Sequence, residues 1–177
     1  MKTIEALFEV RNARSRAFAD YEPGEVAFIT NGLTNNGVLG FVKPESRDRV
    51  FRAPSLVVSA FCEATVHLPP FVARGNGGSG LIVLVPRTAM TSGQLAYYAA
   101  CINEALRWRF SWSRQANAER IRNLTLPDSA PKDAEFPVLA AMPTISRKSP
   151  RTHWTPRLRR VGLAIPCSTC DRATTTN

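Results

Sequence analysis

Cysteine, histidine and long apolar runs are scarce in this sequence of 177 residues, and each shortage excludes a class of protein. Four cysteines are too few for a disulfide-stabilised scaffold and suit a reducing compartment. No apolar run approaches the roughly 18 residues of a transmembrane helix, and Glu5 interrupts the stretch where a signal peptide needs apolar residues. With 44% apolar and 21% charged residues, the composition is that of a globular chain. We predict a cytoplasmic protein with no membrane partner.

Acidic residues and lysines are also scarce, which makes the chain basic and rich in arginine. The sequence has 23 lysines and arginines against 14 acidic residues, a net charge of +9. Residues 141–177 contain seven of the basic side chains and one acid, Asp171, so most of the excess charge lies in the C-terminal part. Arginine suits bidentate contacts with guanine and phosphate. A GC-rich gene would produce the same bias, and both explanations stay open at this point.

The chain changes from a strand-like to a helical pattern near Thr91. Short runs rich in Val, Ile and Phe, separated by Gly, Pro and Asn, predict strands between residues 25 and 85. The predicted strands are Val26–Ile29, Gly37–Val42, Leu56–Ala60, Ala64–Leu68 and Leu81–Val85. Thr91 and Gln94 predict a capping box, and the apolar spacing after it predicts a helix over about 92–108. Asn117 predicts the N-cap of a second short helix, over about 117–124.

The periodic pattern ends after Pro131. Prolines interrupt the remaining sequence, and apolar residues become rare among Arg, Ser and Thr. We predict a domain over 1–140 and a basic, Pro/Arg-rich flexible tail over 141–177. A shifted reading frame in a GC-rich gene would produce a similar end, so a sequence that is not native stays an alternative for the tail.

Motifs for catalysis or metal binding are incomplete. Pro69–Phe71 resembles part of the catalytic loop of amino-methyltransferases, but Leu68 stands where those enzymes need a hydrogen-bond acceptor. The glycine-rich stretch Arg74–Gly80 lacks the Gly-Lys-Ser/Thr ending of a phosphate-binding loop and predicts an exposed turn. A Cys-x-x-Cys pair at 167–170 provides half of a four-ligand zinc site. We therefore predict that the chain is not an enzyme and holds no cofactor or metal of its own.

Residues 107–117 interleave arginines with aromatic and amide side chains, in the order Arg-Trp-Arg-Phe-Ser-Trp-Ser-Arg-Gln-Ala-Asn. Arginine pairs with guanine, and Gln or Asn with adenine, through two hydrogen bonds in the major groove of DNA. The segment therefore favours nucleic-acid binding. The alternative is that Trp108, Phe110 and Trp112 are core residues and that the arginines only cover the surface.

Four segments are informative together because of their order and spacing. They are Leu7–Asn12, Ile29–Val38, Met90–Tyr98, and Phe110–Asn117 with Leu124–Asp128. In this order they resemble the target-recognition domains of restriction–modification DNA specificity subunits, closest to type II systems with type I-like specificity domains, over about residues 4–131. Ser113 and the Phe61-Cys62 pair stand where that family usually has glycine, which puts two turns in question. The long spacer helices of type I subunits have no counterpart in this sequence.

The resemblance implies a single α/β domain with a curved, mostly β body and one or two packed helices. It also implies a specificity module that recognises a sequence in double-stranded DNA and directs a partner DNA methyltransferase or restriction subunit. S-adenosylmethionine and magnesium would then belong to the partner and not to this chain. The sequence does not determine the oligomeric state, and a homodimer stays open.

We expect DNA contacts from three groups of residues, in decreasing priority. They are Arg107, Arg109, Arg114, Gln115 and Asn117 near the end of the predicted helix; Asn31, Asn35 and Asn36 after the first predicted strand; and Arg74 and Asn76 in the glycine-rich stretch. Asn36-Gly37 is also a preferred hairpin turn, and Arg74–Gly80 has an equally simple explanation as a turn. Two other functions stay open. One is a truncated or degenerate subunit that acts only as a protein-interaction module, and the other is an accessory fragment of an adenine-specific DNA methyltransferase.

Overall fold

A computed structural model describes residues 1–75 and 80–131. The predictions for Asn76 and for the tail over 141–177 lie outside the described residues. The strands are β1 (Lys2–Thr3), β2 (Phe8–Asn12), β3 (Pro23–Ile29), β4 (Val38–Val42), β5 (Val50–Phe51), β6 (Ser55–Val58), β7 (Ala64–His67), β8 (Phe71–Ala73), β9 (Ile82–Pro86) and β10 (Thr125–Leu126). The helices are α1 (Ile4–Leu7), α2 (Ser92–Ala105) and α3 (Ala118–Arg122), and short 3-10 turns span Phe18–Asp20, Thr34–Gly37 and Arg107–Arg109.

Most strands belong to two four-stranded sheets. The central sheet has the order β2-β9-β6-β7, and all of its pairs are antiparallel. The outer sheet has the order β4-β3-β8-β5, in which β3 and β8 are parallel. Strands β1 and β10 form a separate two-stranded ribbon. The described residues are therefore mixed α/β and mostly strand, which confirms the predicted fold class.

The central sheet is buried on both faces because its inner strands are apolar at successive positions. In β6, Leu56 and Val58 pack with residues of α2, whereas Val57 packs with residues of the outer sheet. Strand β9 follows the same alternation, with Val83 on the side of the outer sheet. A side chain of this kind contributes about 1.5–3 kcal/mol when fully buried. The result is three layers, in which the helices and the outer sheet enclose the central sheet.

Both predicted helices form, with shorter bounds than the periodicity predicts. The capping box is present, since the Thr91 hydroxyl accepts from the backbone N–H of Gln94 and the Gln94 side chain accepts from the Thr91 N–H. Helix α2 ends at Ala105 instead of residue 108. The indole N–H of Trp108 donates to the Ala105 carbonyl at 2.9 Å, which satisfies one of the acceptors that a helix end leaves free. No helix within residues 1–75 and 80–131 is both long enough and apolar enough to cross a membrane.

The five predicted strands are confirmed within one to three residues at their ends, and several strands were not predicted. Strands β1, β5 and β10 have two residues each, which is too short for an alternating pattern. Strand β2 contains Glu9 and Arg11 next to apolar residues, and it is an edge strand that pairs with β9 alone in the described residues. Strand β8 is buried inside the outer sheet but has only three residues and was not predicted. Local pattern therefore finds the longer apolar strands, including the edge strands β4 and β7, and misses the short strands and the charged strand β2.

One buried histidine ends β7. His67 is 5% exposed, and its Nε2 lies 2.8 Å from the hydroxyl of Thr65. Burial lowers the pKa of His67 to about 4 from its ordinary value of 6.5. The folded protein therefore favours the neutral imidazole, and protonation below pH 6.5 favours the unfolded chain.

We expect the free energy of unfolding to fall as the pH decreases from about 6.5 to 4, by up to roughly 3 kcal/mol from His67 alone. Urea denaturation at several pH values, with the wild type and His67→Gln, measures this contribution. The carboxylates titrate in both proteins, so the difference between the two curves isolates the histidine. Parallel curves for the two proteins would contradict the prediction.

Candidate nucleic-acid interface

The strand registers bring several loops to one end of the two sheets. In the central sheet, β2 ends opposite the start of β9, since Asn12 pairs with Ile82. Strand β6 ends at the same level, since Val58 pairs with Ile82. In the outer sheet, β3 and β8 end side by side, and the N–H of Arg74 donates to the Ile29 carbonyl at 2.9 Å. We call this side of the molecule the loop end.

Two backbone hydrogen bonds join strand ends at the loop end, one within the central sheet and one between the two sheets. The N–H of Ala13 donates to the carbonyl of Leu81, and the N–H of Leu81 donates to the carbonyl of Arg74, both at 2.9 Å. Gly75 lies so close to Ala13 that a Cβ there would overlap the Ala13 backbone. The residues after β2, after β8 and before β9 are therefore neighbours, although they are distant in sequence.

The turn between β6 and β7 is closed by its own hydrogen bonds. The Ser59 hydroxyl accepts from the N–H groups of Phe61 and Glu63, each at 3.2 Å. Cys62 has a φ of 60°, a left-handed conformation that favours glycine, which matches the glycine that the resembled family has near this position. Burial raises the pKa of the Cys62 thiol to about 12, so the group stays protonated and is a poor nucleophile.

The segment 107–117 packs on this turn through charge and backbone contacts. Arg107 forms an ion pair with Glu63, with Nη2 2.6 Å from Oε1, and the Glu63 side chain is only 14% exposed. The N–H of Ala116 donates to the Ala60 carbonyl at 2.7 Å. The two ends of the segment are thus attached to the β6–β7 turn. Between them, Trp108, Arg109, Trp112 and Arg114 are exposed.

A tight turn forms within that segment without glycine. Ser111 and Arg114 exchange two backbone hydrogen bonds of 3.1 Å, and Ser113 does not have a positive φ. The serine at position 113 therefore does not prevent the turn. The Trp112 ring contacts the Phe61 ring edge-on, with 5.4 Å between the centroids.

The tryptophans of the segment are exposed, so the alternative that they are core residues is wrong. Trp108 is 74% exposed and Trp112 is 83% exposed. Only Phe110 packs against the core between the central sheet and the helices. Both indoles thus expose apolar surface in the same segment as Arg109 and Arg114, and they are not among the site residues predicted from the sequence.

The three arginines of the segment differ in their surroundings. Arg107 is engaged by Glu63. Arg109 is exposed, and its guanidinium lies 5.2 Å from the centre of the Trp108 ring. Arg114 is exposed as well, and in the described residues no acidic side chain pairs with Arg109 or Arg114. Two of the three guanidinium groups are therefore available to a ligand.

Gln115 and Asn117 both accept hydrogen bonds from Arg120 within the protein. The Asn117 side chain caps α3, because its Oδ1 accepts from the N–H of Arg120 at 2.8 Å. The backbone carbonyl of Gln115 accepts from the Arg120 guanidinium at 2.6 Å, and the Gln115 side chain is half-buried. Whether either amide contacts a base stays a prediction.

The asparagines after β3 lie in a loop of eight residues, Thr30–Gly37, and not in the two-residue hairpin that Asn36-Gly37 favours. Asn35 and Asn36 both have left-handed conformations, with φ values of 52° and 54°. The Asn36 side chain donates to the Val66 carbonyl at 2.9 Å, which ties the loop to the central sheet. Asn31 is half-buried.

The structure brings together most of the predicted residues that it describes, from separate parts of the chain. Arg74 is exposed at the loop end, next to the end of β3 that precedes Asn31. Arg107, Arg109 and Arg114 reach the same end through the β6–β7 turn. Asn76 lies outside the described residues.

A basic groove at the β2 edge of the loop end was missed by sequence reasoning. It has a volume of about 490 Å³, and its polar lining residues are Glu9, Arg11, Asn12, Arg14 and Arg49. Arg11 binds Glu9 through two contacts, of 2.7 and 2.8 Å, and the hydrogen bond lowers the pKa of Glu9. No local signal links Arg49 to Arg14, because the two residues meet only in the folded chain.

Comparisons with known proteins find little similarity to this chain. No family model matches the sequence, and no curated protein matches it. Among solved structures, the S subunit of a type I restriction-modification system from M. genitalium is similar, with a TM-score of 0.46 and 15% sequence identity over 70% of this chain. The match covers 32% of that subunit, so the chain spans about a third of its length.

Because Asn117 caps α3, we expect Asn117→Ala to lower the free energy of unfolding by about 1 kcal/mol, and Asn117→Ser to change it by a few tenths at most. Urea denaturation of the two variants measures both values. Equal losses in the two variants would contradict the capping role. DNA selections with the stable serine variant then test the amide itself, since a changed sequence preference would show that Asn117 also contacts a base.

Proposed function

We propose that this chain recognises a sequence in double-stranded DNA through its loop end, as the specificity module of a restriction–modification system. The observation that supports the proposal is the meeting of Arg74, Arg107, Arg109 and Arg114 at one end of the sheets. The family resemblance of the sequence points to the same function. A surface with several arginines from separate segments suits a polyanion, because its charge attracts phosphates and its planar donors match guanine.

Within this surface, Arg109 and Arg114 are the residues that we assign to base contacts. Both are exposed and neither forms an ion pair in the described part of the chain. Arg107 instead positions the segment, because its charge is bound to a mostly buried carboxylate. The tight Ser111–Arg114 turn holds the Arg114 backbone in one conformation, which reduces the entropy lost on binding.

The catalytic steps would belong to a partner DNA methyltransferase or restriction subunit. That partner would bind S-adenosylmethionine and magnesium and extrude the target base from the duplex. Leu68, which precedes the two prolines of the methyltransferase-like motif, is 62% exposed and its side chain has no hydrogen-bond acceptor. The thiol of Cys62 is buried and protonated.

A protein-interaction module is the second candidate, and the exposed indoles favour it. Trp108 and Trp112 flank the arginines of the same segment, and Trp and Arg are the residues most enriched in the energetic centres of protein interfaces. The two candidates differ in what the arginines do. A module that only binds protein has no sequence preference on DNA.

We expect Arg114→Ala to cost roughly 1–3 kcal/mol in binding to the preferred site and much less on random duplex. Selections from randomised duplex, followed by titrations, measure both quantities. Arg122→Ala is a matched control, because Arg122 is a half-exposed arginine near Glu5, at the opposite end of β2. Thermal melting should be unchanged, since the Arg114 side chain is exposed. A wild type that selects no sequence, even with a methyltransferase partner, would rule out the recognition function.

The purified chain, given S-adenosylmethionine and magnesium, should neither methylate nor cleave duplex DNA, because the methyltransferase-like motif lacks its acceptor at Leu68. Transfer of labelled methyl groups and gel analysis of the duplex measure the two activities. An active adenine methyltransferase in the same buffer is the positive control. Methyl transfer that copurifies with the chain and disappears on mutation of the chain would overturn this assignment.

A further inference from the structure

The groove at the β2 edge contains arginine donors that the proposed base contacts do not use. Arg49 is held in place by the molecule itself, since its Nη1 donates to the Asn12 carbonyl at 2.6 Å and its backbone N–H donates to the Arg14 carbonyl at 3.0 Å. A guanidinium has five N–H donors, so the contact with Asn12 leaves most of them available. Arg49 is therefore oriented before any ligand binds.

The balance of charge in the groove is positive. The Glu9 carboxylate is neutralised by its two contacts with Arg11. The Arg14 side chain is exposed, and within residues 1–75 and 80–131 it has neither an ion pair nor a hydrogen bond. The lining has three arginines, Arg11, Arg14 and Arg49, against the one carboxylate of Glu9. The groove therefore has a net charge of +2, in a concave surface that favours an anion.

We propose that Arg14 and Arg49 bind a phosphate of the DNA backbone beside the bases that Arg109 and Arg114 contact, an inference that rests on the proposed function for its ligand. The central sheet places the groove at its β2 edge and the segment 107–117 at its β7 edge. Three strand spacings separate the edges, a distance of about 14 Å. The major groove of B-DNA is about 12 Å wide and is bordered by the phosphates of both strands.

This arrangement separates two kinds of contact. The β7 side would contact base edges, and the β2 side would contact the bordering phosphates, which fix the register of the protein on the duplex without selecting a sequence. The groove should therefore affect the affinity for every duplex alike, in contrast to Arg114.

The test compares two double variants of the full chain that lose the same charge. Arg14→Gln/Arg49→Gln removes the groove cations. Arg87→Gln/Arg122→Gln is the control, because Arg87 donates to the Glu5 carbonyl at 2.7 Å and Arg122 lies near the Glu5 carboxylate, at the opposite end of β2. Each variant loses one arginine contact with a backbone carbonyl, and the control also loses the 3.9 Å ion pair of Arg122 with Glu5. Thermal melting of both variants is therefore measured before binding is compared.

Binding to the selected duplex and to a random duplex is measured between about 50 and 300 mM salt, the range in which salt weakens phosphate contacts. Each neutralised phosphate contributes about −0.9 to the slope of log K against log salt. We expect the slope of the groove variant to be less steep by about 0.9, the contribution of one phosphate, with roughly ten-fold weaker binding to both duplexes near 100 mM salt. The control should keep the wild-type slope, and Arg14→Lys/Arg49→Lys should recover most of the loss.

The outcomes separate this proposal from the proposed function. A wild type that binds without sequence preference, but with a slope that depends on Arg14 and Arg49, supports the groove and contradicts sequence recognition. A wild type that selects a sequence, with equal slopes in the groove and control variants, contradicts the groove alone. No binding to duplex overturns both. If the double variant does not melt cooperatively, Arg14→Gln alone, whose side chain has no hydrogen bond or ion pair to lose in the described residues, should still give a less steep slope than Arg122→Gln.

Discussion

The pairing of β9 with β2 on one side and β6 on the other is the constraint on which the rest of the structure depends. Since the central sheet is buried on both faces, a shift of β9 by one residue would move Val83 into the helix layer and Leu84 into the layer between the sheets. The register is therefore strongly specified. Because the register is fixed, β2 and β6 end at the same level and the loops that follow them meet at the loop end.

The arginines of the loop end differ in function because their surroundings differ. A mostly buried carboxylate, Glu63, binds Arg107 and attaches the segment 107–117 to the β6–β7 turn. Removal of Arg107 would leave the mostly buried Glu63 carboxylate without a compensating charge, which is costly. Arg109 and Arg114 have no such partner in the described residues. An interaction within the protein thus positions the groups that are free to bind outside it.

The local features of the fold were predictable because each depends on neighbours in sequence. The capping box of Thr91 and Gln94, the Asn117 cap and the apolar strands of the central sheet follow from spacing of a few residues. The charged strand β2, the strands of two or three residues and the exact end of α2 were not predictable. They depend on hydrogen bonds with distant strands or on the Trp108 indole N–H, which donates to the Ala105 carbonyl. The burial of the aromatic residues was predicted least well. Trp108 and Trp112 are exposed, whereas Phe110 between them packs against the core.

The sequence by itself determined the strand-to-helix change near Thr91, the caps, the excess of arginine and the incomplete catalytic motifs, because these are properties of single residues or of short spacing. Only the tertiary structure decided which arginines share a surface. Arg14, which follows β2, meets Arg49, which precedes β5, because the Arg49 N–H donates to the Arg14 carbonyl. The segment 107–117 joins the β6–β7 turn through Glu63 and Ala60. The physical reason is that strand pairing and two-sided burial act between residues that are far apart in the chain, and no local pattern records them.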